Sequence, residues 1–358
     1  MSKFKSFLKR KDIVVSLKRY GIDALGAMAQ GLFCTLLVGT ILDTLGTQLG
    51  IGFLKAVLIE INGKAFTIGG FASYMVGPAM AVAIGFALNA PAMVLFSLIP
   101  VGFATNAIGG AGGPLAVYFI AVIATEFGKV VSKETKIDIL VTPIVTILVG
   151  VGLAWLIAAP IGRAAMYIGD IVMWATVQQP FIMGIVVSVV IGIALTLPIS
   201  SAAICAAIGL TGLAGGAALA GCCANMVGFA VASFKENRWG GIVSQGLGTS
   251  MLQMGNIVKN PKIWIPAILA SAVTGPLATC VFKLEMNGAA VSSGMGTCGL
   301  VGPIGVWSGW AATGVTPTAM DWIGLLLIAI VLPAILAWLF GSICRKLGWI
   351  KDGDMKLS

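Results

Sequence analysis

The chain has 358 residues, of which 58% are hydrophobic and 10% charged, with 22 Lys and Arg against 13 Asp and Glu, a net charge of +9. Soluble domains carry about 25% charged residues, so the composition excludes a water-soluble globule and points to an all-α polytopic membrane protein. The sequence contains no histidine, which excludes a histidine phospho-carrier, general base or metal ligand.

Three long stretches lack any Asp, Glu, Lys or Arg: between Lys64 and Glu126, between Asp170 and Lys235, and between Glu285 and Asp321. Each exceeds the roughly 20 residues needed to cross a bilayer. Lys3, Lys5, Lys9, Arg10, Lys11, Lys18 and Arg19 crowd the start of the chain, and Arg345, Lys346, Lys351 and Lys356 follow the last apolar run. The positive-inside rule then places both termini in the cytoplasm of a multi-pass protein. We read the N-terminal block as a topology signal that also touches anionic membrane lipid, not as a nucleic-acid patch. The seven cysteines lack zinc or redox spacing and read as small packing residues.

In chain order, residues 1–19 predict a basic interfacial helix and 20–46 a first span containing Asp23 and Asp43. Residues 47–64, with Lys55 and Glu60, predict an interfacial helix ending at Asn62–Gly63. Spans follow over 65–88 and 91–107, separated by a turn at Asn89–Ala90–Pro91. The sequence Gly-Gly-Ala-Gly-Gly-Pro at 109–114 breaks the chain and precedes a fourth helix in which Glu126 and Lys129 share one face. It is not a phosphate-binding loop, because no Lys–Ser/Thr pair follows. The polar loop 132–138 reads as cytoplasmic, 139–159 as a fifth span, and 160–179 as an interfacial helix with Arg163, Tyr167, Asp170 and Trp174. A sixth span covers 181–197, with a kink or re-entrant start at 198–201. Residues 202–219 and 220–234 supply one or two further spans. Their one strongly polar side chain, Asn225, is either a solute ligand or an interhelical hydrogen bond. In 240–261, Gln245, Gln253 and Asn256 alternate with apolar residues, a pattern of a re-entrant hairpin or amphipathic arm, or else a solvent loop. Spans over 264–282 and 321–344, the latter kinked at Pro333, complete about ten transmembrane helices with re-entrant hairpins and interfacial helices. The organisation is a basic segment at 1–19, a membrane domain at 20–345 and a cytoplasmic tail at 346–358.

The stretch 275–314 holds the densest chemistry. Lys283, Glu285 and Asn287 are followed by Ser292, Ser293 and Thr297 among eight glycines and Pro303. Broken backbone at membrane depth survives only where protein buries it or where it lines a polar cavity, and an ionisable group beside it marks a solute site. A polyol needs paired donors and acceptors. A carboxylate such as Glu285 accepts two hydroxyl bonds, and Asn287, Ser292, Ser293 and Thr297 add donors and acceptors. Gln245, Gln253 and Asn256 would form a second wall. Lys283 would neutralise Glu285 or bind an anionic solute; the alternative is that both are solvated at the membrane border.

Two segments carry a family resemblance. Residues 135–162, an apolar helix led by Pro143 and closed by Ala-Pro-Ile-Gly, resemble the fructose-type EIIC segment of the bacterial sugar phosphotransferase system. Residues 228–303 are similar to a stand-alone EIIC-like group that includes the perfringolysin O regulator-like proteins. The resemblance implies a homodimer in the bacterial plasma membrane, with a scaffold part and a moving part that carries a sugar-like solute by alternating access. Glu285 is the position matching the family's sugar-binding glutamate, set here in Leu-Glu-Met-Asn-Gly where the glucose and lactose types have Glu-Pro. Residues 195–202 read Leu-Thr-Leu-Pro-Ile-Ser-Ser-Ala in place of the fructose-type Asp-containing motif. Phosphoryl transfer therefore needs separate EIIA and EIIB proteins, and the chain reads as a transporter without a cofactor that does not itself phosphorylate its solute. The alternatives are a membrane ligand sensor without net transport and an ion-coupled carrier using Asp23, Asp43 or Glu126.

Overall fold

The computed structural model describes residues 3–48, 50–61 and 63–357, with side chains given from residue 6 onward except at 48. It is overwhelmingly helical and divides into two compact units, Met1–Ala164 and Ala165–Ser358. Among the described residues six helical runs are long and apolar enough to cross a membrane, or seven if the bent pair Ile68–Tyr74 and Val76–Ala87 counts as one span. These runs do not reach the expected count of about ten, and one of them, Ala92–Val131, holds two helices separated by a glycine break.

The first unit starts with the short helix Lys3–Arg10, which stops well before residue 19. Asp12 takes a left-handed φ of 52°, and a separate helix, Lys18–Thr47, begins after it. Three of the basic residues are held by the unit itself. Arg10 pairs with Glu134 at 2.8 Å, Lys11 also reaches Glu134, and Arg19 bonds both carboxylate oxygens of Asp12, at 3.0 and 2.5 Å. The Arg19 hydrogen bond holds the Asp12 carboxyl well below the usual carboxylate range. The Lys11 hydrogen bond likewise lowers that of Glu134. Buried Lys129 lies 3.2 Å from Glu126, as their spacing predicts, and donates to the carbonyls of Asp12 and Leu88.

Residues 47–64 do not form the expected interfacial helix. A four-residue helix, Gly52–Lys55, leads into an antiparallel hairpin of Ile59–Ile61 and Lys64–Phe66 with Ile61 opposite Lys64. The reason is legible afterwards. An Asn-Gly pair favours a two-residue hairpin turn, and although Asn62 lies outside the described residues, Gly63 has φ 74°.

Helices Ala92–Gly109 and Gly113–Val131 fold back on each other at the glycine break, since Val94 sits 2.8 Å from where a Cβ on Gly128 would lie. Gly110 takes φ 53° at the reversal. A Cβ on Gly77 would meet the Gly102 carbonyl at 2.3 Å, and one on Gly102 the Gly77 carbonyl at 2.3 Å. These glycines let two helix backbones touch, the usual packing device where lipid removes the hydrophobic drive.

Residues 139–179 do not split into a span and an interfacial helix. Asp138–Thr176 is one 39-residue helix. A proline removes the N–H that would reach the carbonyl four residues earlier and clashes with it. Four residues before Pro160 lies Leu156, the middle of a widened π turn, Ala154–Ala158. Pro333 repeats the arrangement. Ala329 is the middle of the π turn Leu327–Val331 within Ala319–Lys346. The wider turn takes up each proline without ending the helix.

The second unit is built around Gly212–Ala232, whose side chains from Ala214 to Ala230 are all buried. It packs against Pro180–Thr196, Ile265–Pro276 and Leu332–Lys346. Residues 202–219 and 220–234 are therefore not two spans. The short helix Ser201–Ala207 ends, Gly209 and Gly212 take φ 63° and 61°, and one long helix follows.

Candidate functional site

Two interrupted segments of the second unit meet at the start of its central helix. The first runs from the end of Pro180–Thr196 through Ser201–Ala207 to Gly212. Ser200 caps its short helix by accepting from the Ala203 amide. The second begins after Val281, turns at Lys283, where φ is 46°, pairs as a strand at Met286, and re-enters helix at Ala290–Ser293. Each segment satisfies backbone groups that the other leaves open. Gly212 and Met286 exchange hydrogen bonds of 2.8 and 2.9 Å. Ser201 donates to the Gly294 carbonyl and Ser293 to the Leu210 carbonyl, both at 2.7 Å. This mutual pairing lets non-helical backbone exist inside a helical membrane protein.

Extended backbone sends successive side chains to opposite sides. Leu284 and Met286 are buried, in the cluster that includes Leu219, Val306 and Trp310. Glu285 and Asn287 alternate with them and, together with Phe282, Lys283, Leu284, Trp310, Val315 and Asp321, line a cavity of about 150 Å³. Asn287 donates to the Glu285 carboxylate at 2.9 Å. Among the described residues Lys283 forms no ion pair, so it does not neutralise Glu285 in this conformation. The cavity thus presents one ammonium, one amide and two carboxylates beside an indole. Its volume is below the ~300–1,000 Å³ of a typical small-molecule pocket, so in this conformation it would seat part of a ligand.

The other candidate residues lie elsewhere. Ser293 is engaged in the segment crossing, and Ser292 is buried with its Cβ against Gly305. Thr297 donates to the Gly246 carbonyl at 2.5 Å. The region 240–261 is not a solvent loop, because Gln245, Ser250, Gln253 and Asn256 are all buried. Its amides form a ladder. Asn256 donates to Gln253, Gln253 to Gln245, and Gln245 to Ser233, at 2.8 to 2.9 Å. The same ladder holds the end of the chain, with Gln253 donating to the Met355 carbonyl and Asn256 to that of Lys356, both at 2.9 Å. The segment after 346 is thus docked, with Ile350 and Met355 buried.

Asn225 is fully buried and all its hydrogen-bonding capacity is used. Its carbonyl accepts from Trp264 at 2.9 Å and Thr196 at 3.2 Å. Its amide donates to the Gly221 carbonyl at 3.1 Å and Ser271 at 3.2 Å. Of the two readings left open by the sequence, this geometry is the interhelical one.

The sequence reasoning did not include Trp310 and Asp321 in the site. Thr318 and Asp321 form a capping box at the start of Ala319–Lys346, with Asp321 accepting from the Thr318 amide and hydroxyl at 2.8 Å. The Thr-x-x-Asp spacing announces that cap. Only the tertiary fold brings its carboxylate to Glu285. A second cavity, of about 490 Å³, lies between Phe234–Gly241 and Leu332–Lys346 and is lined by Lys235, Arg238 and Arg345.

Among known proteins, no curated protein and no solved structure matches this chain. The family described as "Phosphotransferase system, EIIC" matches residues 22–357, reaching across both units and through the docked C-terminal segment. With several membrane-crossing helices and a match over nearly its whole length, the chain belongs to the phosphotransferase-system EIIC family of membrane transport components.

Proposed function

We propose that this EIIC protein carries a neutral, sugar-like polyol across the bacterial plasma membrane by alternating access, with the solute bound at Lys283, Glu285 and Asn287. One observation carries the reading. The break between helices brings these three side chains to one cavity with Trp310 and Asp321. Two carboxylates against one lysine favour hydroxyl donors over an anionic solute. Trp310 offers an apolar wall of the kind a sugar ring covers. Ser292, Ser293 and Thr297 lie in the same broken stretch, and we assign them to holding its shape. The resemblance adds a homodimer and separate EIIA and EIIB partners. The basic ends of the chain favour cytoplasmic termini.

The test is uptake into proteoliposomes of a neutral sugar or polyol first identified by thermal-shift screening. Removing a charged hydrogen-bonding partner costs about 1.5–3 kcal/mol, or roughly 10- to 100-fold. Glu285→Gln should lower transport by that factor. Unaltered transport in Glu285→Gln and Asn287→Ala would place the solute elsewhere.

A further inference from the structure

We propose that the 490 Å³ cavity between Phe234–Gly241 and Leu332–Lys346 binds the phosphodiester headgroup of an anionic phospholipid, with Arg238 as its principal ligand. Three cations line this cavity: Lys235, Arg238 and Arg345. Two carboxylates stand close by and are already engaged. Arg345 bonds Glu236 at 2.8 Å and approaches Asp352 at 3.4 Å, and Lys235 bonds Asp352 at 2.7 Å. The cluster keeps one uncompensated positive charge. That charge is Arg238, whose side chain is exposed and forms no ion pair or hydrogen bond with the described residues, its contact being the Phe234 ring at 5.9 Å.

The backbone supports a role for this residue. Arg238 takes φ 52° and ψ −147°, close to a region populated almost only by glycine, although Gly240 and Gly241 stand just beyond Trp239. Such strain persists where surrounding structure over-determines it and gathers at ligand-binding positions.

The walls select a lipid over a small soluble anion. Trp338, Ser342 and Arg345 lie on successive turns of one helix face. That face passes from indole to guanidinium in seven residues, about 10 Å, enough to cross the interfacial layer of about 5–8 Å that lies on each side of the hydrocarbon core. Trp338 is 61% exposed and Trp239 is 74% exposed, so two indoles flank the cations. Tryptophan beside cations is the side-chain pattern of a membrane–water boundary. The phosphate would sit between Arg238 and Lys235, with Ser342 as a further donor and an acyl chain along Trp338 and Ile242.

The experiment is native mass spectrometry of the full-length protein released from micelles holding equal phosphatidylglycerol and phosphatidylcholine. One basic residue near an anionic surface changes binding about fivefold. Wild type should retain phosphatidylglycerol over phosphatidylcholine by about that factor. Arg238→Gln should abolish the preference, and Arg238→Lys should keep most of it. Arg238→Gly removes the charge while relieving the backbone, so it separates loss of the ligand from misfolding, and it should behave like Arg238→Gln. Lys351→Gln, outside the cavity, should behave as wild type. Equal retention of the two lipids by wild type, or an undiminished preference in Arg238→Gln and Arg238→Gly, overturns the proposal. Displacement of the lipid by millimolar inorganic phosphate or glycerol phosphate assigns the cavity to a soluble phosphate and overturns the lipid as its source.

Discussion

Gly216 joins the central helix to the candidate site, and Gly216→Ala tests whether that contact is as close as the structure shows. A Cβ at this position would lie 1.8 Å from the Leu284 carbonyl oxygen and 2.9 Å from its carbon. Ordinary contact begins at 3.4 Å, so Leu284 would have to retreat by about 1.6 Å. It cannot do so freely. The Leu284 amide is bonded to Ala278 at 2.8 Å, and the neighbouring Met286 is paired with Gly212. Overpacking costs about 1–3 kcal/mol, and loosening two backbone hydrogen bonds costs about 1 kcal/mol each. Alanine returns about 1 kcal/mol as the better helix former. The net expectation is a loss of about 2–4 kcal/mol, together with displacement of Glu285 from its cavity. The assay is unfolding in mixed micelles at increasing SDS, followed by tryptophan fluorescence. Gly152→Ala is the counterpart, because a Cβ there meets nothing within 4 Å and helix propensity alone should raise stability by up to about 1 kcal/mol. A Gly216→Ala midpoint at or above wild type would refute the close backbone contact.

Asn225→Ala removes four hydrogen bonds and strands the indole N–H of Trp264, while the Thr196 hydroxyl keeps Ser250 at 2.7 Å, for a loss of about 1–3 kcal/mol by the same assay; a loss below 1 kcal/mol would argue against the hub. Gln253→Ala cuts the amide ladder where it holds Met355, so trypsin should cleave after exposed Lys351 several times faster than in wild type. Unaltered cleavage would mean the tail is held by other contacts. Asp12→Asn breaks a pair in which Asp12 is 48% exposed, so screening limits its effect to about 1 kcal/mol. The folded carboxyl titrates below its unfolded value, so the pair stabilises fully above about pH 4 and loses its contribution as pH falls through the folded value. The variant should therefore converge on wild type as pH drops below about 4, and a gap that widens in acid would contradict the pairing.

The Lys283-x-Glu285-x-Asn287 spacing brings three polar groups to one cavity through a particular backbone path, left-handed at Lys283 and strand-paired at Met286. The glycine and serine content of 275–314 made a break readable, but not its conformation. The alternation Lys283, Leu284, Glu285, Met286 is itself a period of two, a signal of extended chain that a reading of the segment as a generic hairpin passed over. The amides of Gln245, Gln253 and Asn256 were readable as polar groups with something to bind. Their partner is the chain's own C-terminal segment, about 100 residues away, and no local pattern could point there.

By itself the sequence determined the membrane class, the positions of most apolar helices and the breaks at 109–114, 198–201 and 283–300, because charge, hydropathy and glycine, proline and serine content act locally. The family resemblance was legible too, since it lies in contiguous stretches. Tertiary structure decided whether a proline ends a helix or is taken up by a π turn, as at Pro160 and Pro333. It also decided which glycine lets which backbone approach, and which polar groups face a cavity rather than one another. Those outcomes depend on what packs against each residue from far along the chain. Helix propensity at Pro160 or Gly216 is a small term beside the neighbours that surround them.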